Sequence, residues 1–390
     1  MNLQTAFNTA RSALLVNASQ TATVSRNVSS ASQQGYSRRL TLVETTLSGE
    51  VAVTGTDRAA DQALLSGLLS AQSSSESDKA VEAALTSLQQ TIGDPANAQS
   101  PAALIGALQT ALTQAAASPQ DASSLASAVE AARSVANALN SATNAVTNAR
   151  EQADSDMSAS VATINSLLAK FDTANSAVVA GKLTGADVSD AMDQRDSIIS
   201  DLSKQIGVST VIGKDGGMSI YTDSGATLYQ GGPRAVAMSP TPVLTASDSG
   251  SAVYVDGVPV TGASATMPIH SGALAGLAQV RDSLAPTYQT QLDEIARGLI
   301  SATRQVDQTS SSQPDRTGLF TWSGGPAVPG ALTAGLAGQI KIDPSVDHTA
   351  GGNALLLRDG GIGASGSTYT YNTTGASSYS ARITELAGNL

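Results

Sequence analysis

Between Asp121 and Phe171 the chain has neither proline nor glycine, and its apolar or small residues recur at steps of three and four. The series runs Leu125, Val129, Ala132, Ala136, Leu139, Ala142, Val146, Ala149, Ala153, Met157, Val161, Ile164, Leu168 and Phe171. A strand would repeat every second residue, so this spacing specifies α-helix. If unbroken, such a stretch makes a rod of about 75 Å, at 1.5 Å per residue. Its narrow stripe is rich in alanine and must be buried by close neighbours. Aromatic residues are only 3% of the chain and charged residues 14%, so Leu, Val, Ile and Ala must build the cores. The fold class expected is mainly α, a long helical bundle or coiled-coil-like rod in discontinuous domains, with a small inserted β domain.

A second seam opens the chain. Leu3, Phe7, Ala10, Leu14, Asn17, Thr21, Val24 and Val28 alternate steps of four and three before Gly35-Tyr36. Its core positions are weak, because Asn17 and Thr21 are polar and Ala10 is small. A lone helix with so thin a stripe is not stable by itself. Two readings are open. The helix packs on the domain that follows, or it is an assembly helix whose partner is another segment or another subunit.

The rest of the chain divides by periodicity. Residues 1–36 form the terminal helix. Residues 37–57 read as short strands or extended linker, with Leu40 and Leu42, then Val51 and Val53, alternating with polar residues. Residues 58–206 form the first part of a helical rod. Helix starts there at about Arg58 and is stopped by Gly93-Asp94-Pro95. A shorter helix after Pro101 precedes the long run. A further helix near 187–206 puts Arg195 in its apolar stripe, so either Arg195 is buried and paired or the face rotates to use Ile198. At Gly207 the period changes to two, and turns at Gly213–Gly217 and Asp256-Gly257 mark a β domain over 207–268. Residues 269–390 return to helix, where Pro286 should kink the chain or restart it. An irregular part follows, with a strand expected at Gln339–Ile342. The spacing of Tyr379, Ile383, Leu386 and Leu390 starts another helix, and the natural chain is expected to continue past Leu390.

Several kinds of chemistry are disfavoured. The net charge is -11, although the first 43 residues carry four arginines and no acid. An acidic chain with dispersed arginines is a poor nucleic-acid or membrane binder, and no apolar run reaches the ~20 residues of a membrane span. There is no cysteine. The start Met1-Asn2-Leu3-Gln4 lacks the charged and apolar regions of a secretory signal. The protein is therefore expected in the cytoplasm, or it leaves by a route that needs no such signal. His270 and His348 have no ligand-like neighbours, so no metal, cofactor or catalytic residue is assigned. Gly361–Gly366 matches G-x-G-x-x-G, but Ser367–Tyr371 reads as strand or loop where a dinucleotide site needs a helix. Asp187, Asp190, Asp193 and Asp196 step by three, which reads as a solvated helix face.

The pairs Asn27-Val28 and Gly35-Tyr36-Ser37-Arg38 at the end of the first seam resemble the start of bacterial flagellar axial proteins, the rod, hook and hook-associated family. Asp193-Gln194-Arg195-Asp196, leading to Ile206-Gly207-Val208, is similar to the passage of its hook-associated members into their inserted domain. Tyr229-Gln230-Gly231-Gly232 fits the same domain. Ser271–Leu277 with Arg281-Asp282 is similar to the return from it. The order is right over nearly the whole chain. Within the family, hook-associated protein 3 or a hook protein is an alternative, although helix over 58–206 argues against the mostly β hook protein. A secreted helical adhesin or a flagellum-associated hydrolase is the alternative of another class.

The resemblance implies a structural protein and not an enzyme, with a role at the hook–filament junction. It implies a self-assembled ring of about eleven copies. Hook protein would lie below, with hook-associated protein 3 and flagellin above. Subunits would be exported unfolded by the flagellar type III system, with an export chaperone binding near the family's C-terminal helix. In the family that helix pairs with the N-terminal one, and this sequence departs from the family in lacking it. The assembly interface would comprise Leu3, Phe7, Ala10, Leu14, Val24 and Val28. Gly35, Tyr36 and Arg38 would set the turn that follows, Gly35 by a left-handed C-cap. Asp193, Arg195 and Asp196 would be a structural motif.

Overall fold

The computed structural model describes residues 3–33, 35–47, 49–93, 98–364 and 366–390. The chain splits into two compact units. Unit 1 comprises Met1–Ala80, Ser155–Pro240 and Ser251–Ala278, and unit 2 comprises Val81–Asp154, Thr241–Gly250 and Gln279–Leu390. Among the described residues no helix is long and apolar enough to cross a membrane.

The glycine-free run is helical throughout. Helix α4 spans Ala122–Thr184, 63 residues. That is about 95 Å at 1.5 Å per residue. It outlasts the periodic stretch because nothing stops it before Gly185, which takes a left-handed conformation at φ +72°. There the Ala186 N–H bonds back to the Gly181 carbonyl at 2.9 Å and the Gly185 N–H to the Lys182 carbonyl at 3.3 Å. This pair of bonds satisfies the last carbonyls of the helix.

Unit 1 begins with α1, Leu3–Ser29, followed by an antiparallel hairpin of β1, Arg39–Thr45, and β2, Val51–Arg58. Helix α2 runs Gln62–Ile92. It starts four residues later than its periodicity suggests, because Arg58 still pairs in β2 and the Asp61 carboxylate caps the N–H groups of Ala63 and Leu64. Of the stop Gly93-Asp94-Pro95, Asp94 and Pro95 lie outside the described residues. Helix α5 spans Ser189–Gln205. It leads into a sheet of β3, Val208–Ile212, β4, Met218–Thr222, and β5, Thr227–Tyr229. A second three-stranded sheet joins β6, Val236–Ala237, β7, Tyr254–Val255, and β8, Val258–Pro259. The core of this unit joins Met157, Ile164, Leu168 and Phe171 of α4 to Ile199 and Leu202 of α5 and to Ile220, Leu228 and Val255 of the sheets.

Unit 2 packs α3, Pro101–Ala117, the N-terminal part of α4, α7, Ala285–Ala302, and α9, Ala381–Asn389, around one core. Leu108, Leu112, Leu125, Val129, Leu139, Leu292, Leu299, Ile383 and Leu386 fill it. Ala128, Ala132, Ala136 and Ala142 are buried among them, and their small side chains let the neighbouring backbones come close. Of the two readings for Pro286, the restart holds: Pro286 stands in the first turn of α7, where its missing N–H is best tolerated. It follows α6, Ala273–Gln279, and a π-helical turn at Val280–Leu284, whose last bond runs from the Ala285 N–H to the Val280 carbonyl. The wide turn absorbs the missing proline donor. The strand expected at Gln339–Ile342 shortens to β10, Lys341–Ile342, paired with β9, Phe320–Thr321. Residues Leu336–Gly338 form a 3-10 turn just before it. The apolar run before the glycine motif ends in a short helix, α8, Leu356–Asp359. Ser365 of that motif lies outside the described residues. After Gly366 comes a 3-10 turn, Ser367–Tyr369, where strand or loop was expected.

Candidate assembly surface

Helix α1 is amphipathic in an unusual sense. The side that meets the hairpin is small and polar, with Ser12, Ser19, Thr23 and Asn27 around the single buried apolar residue, Val16. These positions also step by three and four, so they form a second seam beside the apolar one. Ser12 Oγ accepts from the Val51 N–H at 3.2 Å, and the hydroxyls of Thr23 and Thr41 lie 2.8 Å apart. The apolar seam points the other way. Leu3 is 88% exposed, Phe7 64%, Leu14 70%, Val24 59% and Val28 72%, and Ala10 is exposed too. The hairpin adds Leu40, Leu42, Val43 and Val53, also exposed. The helix packs on the segment that follows it, but with the face that the apolar pattern does not mark.

Asn27 holds the two pieces together. Its Nδ2 donates to the Arg39 carbonyl at 2.9 Å, and its Oδ1 accepts from the Arg39 N–H at 2.9 Å and from the Tyr36 hydroxyl at 2.7 Å. The amide thus pairs with a backbone peptide as a neighbouring strand would. Gly35 has the left-handed backbone expected of it, at φ +82°, but it is not the cap of α1, which ended at Ser29. The intervening turn is closed by bonds from the Gln33 N–H to Ser30 and from the Tyr36 N–H to Gln33. The Arg38 side chain is exposed, and its carbonyl accepts from the Ala59 N–H at 2.8 Å.

The acid face of α5 is a correction to the solvated-face expectation. Only Asp190 of the pairing carboxylates is well exposed. Asp193 and Asp196 are largely covered, and they meet Arg39 and Arg58 of the hairpin. Burial works against the charge on Arg39, but its bonds to Asp190 and Asp193 outweigh that and hold its pKa above the ordinary arginine value. Asp187, just before α5, stays exposed. What burial it has opposes its ionisation, but the Ser189 hydroxyl and N–H, with Arg39 and Arg26 nearby, keep its carboxyl below the usual range.

Arg195 turns the opposite way from its acidic neighbours and is fully buried, as is Ile199 one turn on. Of the two readings open for it, burial holds, but its partners are neutral. Nη1 donates to the Gly216 carbonyl at 2.8 Å and to Asn175 Oδ1 at 3.3 Å. Burial pushes its pKa down, Arg58 adds to that, and Asp196 opposes it. Asn175 Oδ1 also accepts from the Met218 N–H at 2.9 Å. Tyr229 completes the network, donating to Asp172 Oδ1 at 2.7 Å and stacking edge-on against Phe171. The Asp-Gln-Arg-Asp stretch therefore sends two carboxylates toward the hairpin and one guanidinium into the β3–β4 turn.

Two clefts flank the Gly35–Tyr36 turn. One of about 480 Å³ is lined by Leu64, Leu65 and Leu68 with Asp196 and Ser200. The other, about 430 Å³, is lined by Arg26, Ser30, Gln33, Asp190 and Asp193. Among the described residues no group of His, Asp and Glu side chains could hold a metal ion. His270 is exposed, and His348 lies 3.5 Å from Glu130 near the surface.

A mainly helical frame with small separate sheets is the fold of a flagellar hook-associated structural protein of this kind. The family model of the helical domain of flagellar hook-associated protein FlgK matches residues 85–318. The chain belongs to the FlgK family, that of hook-associated protein 1. Among solved structures it is similar in fold to the flagellar hook junction protein FlgK from Burkholderia pseudomallei, with a TM-score of 0.53 and 23% identity. That likeness covers 66% of this chain and 46% of the other, so the matched part spans less than half of the Burkholderia chain. No curated protein sequence matches. The arm with α1 lies outside the residues of the family match.

Proposed function

We propose that this chain is a structural component of the bacterial flagellum that joins hook to filament. It is exported unfolded by the flagellar type III route and assembles outside the cell into a ring of about eleven copies. Its partners are copies of itself, the hook protein on one side, hook-associated protein 3 and flagellin on the other, and an export chaperone on the way out. The observation that carries this reading is the seam of α1, in a chain of the FlgK family. Leu3, Phe7, Leu14, Val24 and Val28 remain exposed along one side of a helix that already has an intramolecular contact on its other side. Burying a large apolar side chain contributes roughly 1.5–3 kcal/mol, so five in one row make a strong drive to associate. On this reading Ala10 gives the partner helix room to approach, and Gly35, Tyr36 and Arg38 steer the chain from the inner helix to the outer layer.

The test is electron microscopy of a strain lacking the gene, with flagellin assayed in the medium. Bare hooks and shed flagellin monomer are the expected result. Loss of hooks as well would move the protein down to rod or hook, and intact flagella would overturn the reading.

A further inference from the structure

Arg39 and Arg58 are directly opposite each other in the register of the β1–β2 hairpin. Like charges at cross-strand positions repel and weaken the pairing of the strands that carry them. Both guanidinium groups are nonetheless withdrawn from water, where solvent cannot screen them. Asp193 lies between the two. Its Oδ2 accepts from Arg39 Nη2 at 3.2 Å and its Oδ1 lies 2.8 Å from Arg58 Nη2. The Oδ1 approach is an ion pair, and the two hydrogen bonds of Arg58 Nη2 go to Asp196 Oδ2 at 2.6 Å and Ser37 Oγ at 3.1 Å. Asp190 pairs with Arg39 from the solvent side. Arg39 also lies over the Tyr36 ring, 5.3 Å from its centre. Among the described residues Arg39 Nε and Nη1 and Arg58 Nε find no acceptor, so the two cations depend on the α5 carboxylates.

We propose that Asp193 is the keystone of an ionic latch that makes closure of the hairpin base conditional on docking against α5. With Asp193 in place, one carboxylate neutralises the repulsion between Arg39 and Arg58 and fixes the hairpin on the helix. Without it, the same two arginines push the base of the hairpin open. Asn27 ties α1 to the Arg39 peptide, so the latch also sets the direction in which α1 presents its seam. The inference concerns the arm's own geometry and stands apart from the junction reading.

The experiment is amide hydrogen exchange on the purified full chain, read at residues 39–41 and 56–58. Asp193→Asn keeps the shape of the side chain and removes its charge. It is expected to speed exchange at the hairpin base by about tenfold or more, whereas Asp190→Asn, at the exposed rim, changes it by less than about threefold. Adding Arg58→Gln to Asp193→Asn removes the repulsion and is expected to return most of the protection. A merely structural contact would be damaged further by the second change. Docking is read separately by the distance between spin labels at Glu44→Cys and Ser176→Cys, in a chain with no cysteine of its own. That distance should be narrow in the natural chain and broad in both variants that carry Asp193→Asn. Unchanged exchange in Asp193→Asn overturns the proposal. So does a double variant that exchanges as fast as the single one, or a natural hairpin base already unprotected. Should Asp193→Asn fail to fold by circular dichroism, Arg58→Gln alone decides. It should broaden the label distance while the hairpin base stays protected, and loss of that protection counts against the latch.

Discussion

The Tyr36 hydroxyl donates to Asn27 Oδ1 at 2.7 Å, across the turn that follows α1. The same oxygen accepts the Arg39 N–H, so one amide side chain serves the turn and the first strand together. Asn27→Ala leaves the Arg39 N–H and carbonyl in a partly buried position without this partner. The expected cost is about 1–3 kcal/mol, against about 1 kcal/mol for Tyr36→Phe, which removes only one bond. Hydrogen exchange at Arg39 and urea unfolding followed at the arm would read both, and equal effects would mean that the Arg39 pairing contributes nothing.

Phe7 is exposed on the seam, with most of its side chain open to solvent. Phe7→Asp should therefore change the stability of the purified chain by no more than about 0.5 kcal/mol. Incorporation into flagella should be abolished, while the body over residues 58–309 stays folded. Normal incorporation of the variant, seen by complementation of a deletion strain, would refute this placement of the seam.

Arg281 sits in the π-helical turn, fully buried, with Nη1 donating to Asp154 Oδ1 at 2.6 Å and Nε to Asp282 Oδ1 at 2.8 Å. Asp154 Oδ2 is used as well, accepting from the Thr241 N–H at 2.8 Å. Arg281→Met fills much of the space but leaves the Asp154 charge buried without its cation. The expected loss is about 3–5 kcal/mol, measured as a lower urea midpoint, and Arg281→Met with Asp154→Leu should recover part of it.

Asp359 gives a pH-dependent term in unit 2. Burial disfavours its charge, but two bonds from Arg358, at 2.7 and 2.8 Å, and one from Asn372 at 2.6 Å prevail and keep its carboxyl below the usual range. The unfolded chain holds a proton there more readily, with a pKa of about 3.9. The stabilisation is therefore fully present above that value and is lost as pH falls through the lower folded value. Urea midpoints of the natural chain and Asp359→Asn should differ at neutral pH and converge in acid. A difference that grows on acidification would reverse the sign of the assignment.

The long helix α4 could be read directly from the chain, because a period of three and four over fifty residues without glycine or proline leaves the backbone no alternative. The β hairpins after Gly207 could be read for the same reason, as their alternation and turn residues are local. The seam of α1 was also visible, as a row of apolar residues in need of a partner. What spacing could not say is which side of α1 meets its own hairpin. That is decided by Ser12, Thr23 and Asn27, whose hydrogen bonds to β1 and β2 have no periodic signature beyond small polar residues in step. Asp193 and Asp196 of α5 looked like part of a solvated face because the step of three they share with Asp187 and Asp190 is all that the sequence records. Their partners Arg39 and Arg58 lie some 150 residues away, and only the packed hairpin brings opposite charges together. The presence of the long helix, the β turns after Gly207 and the apolar row of α1 were thus determined locally by the sequence. Which charges are buried, and which face of α1 is left outward, was decided by tertiary structure, since both depend on contacts between segments far apart in the chain.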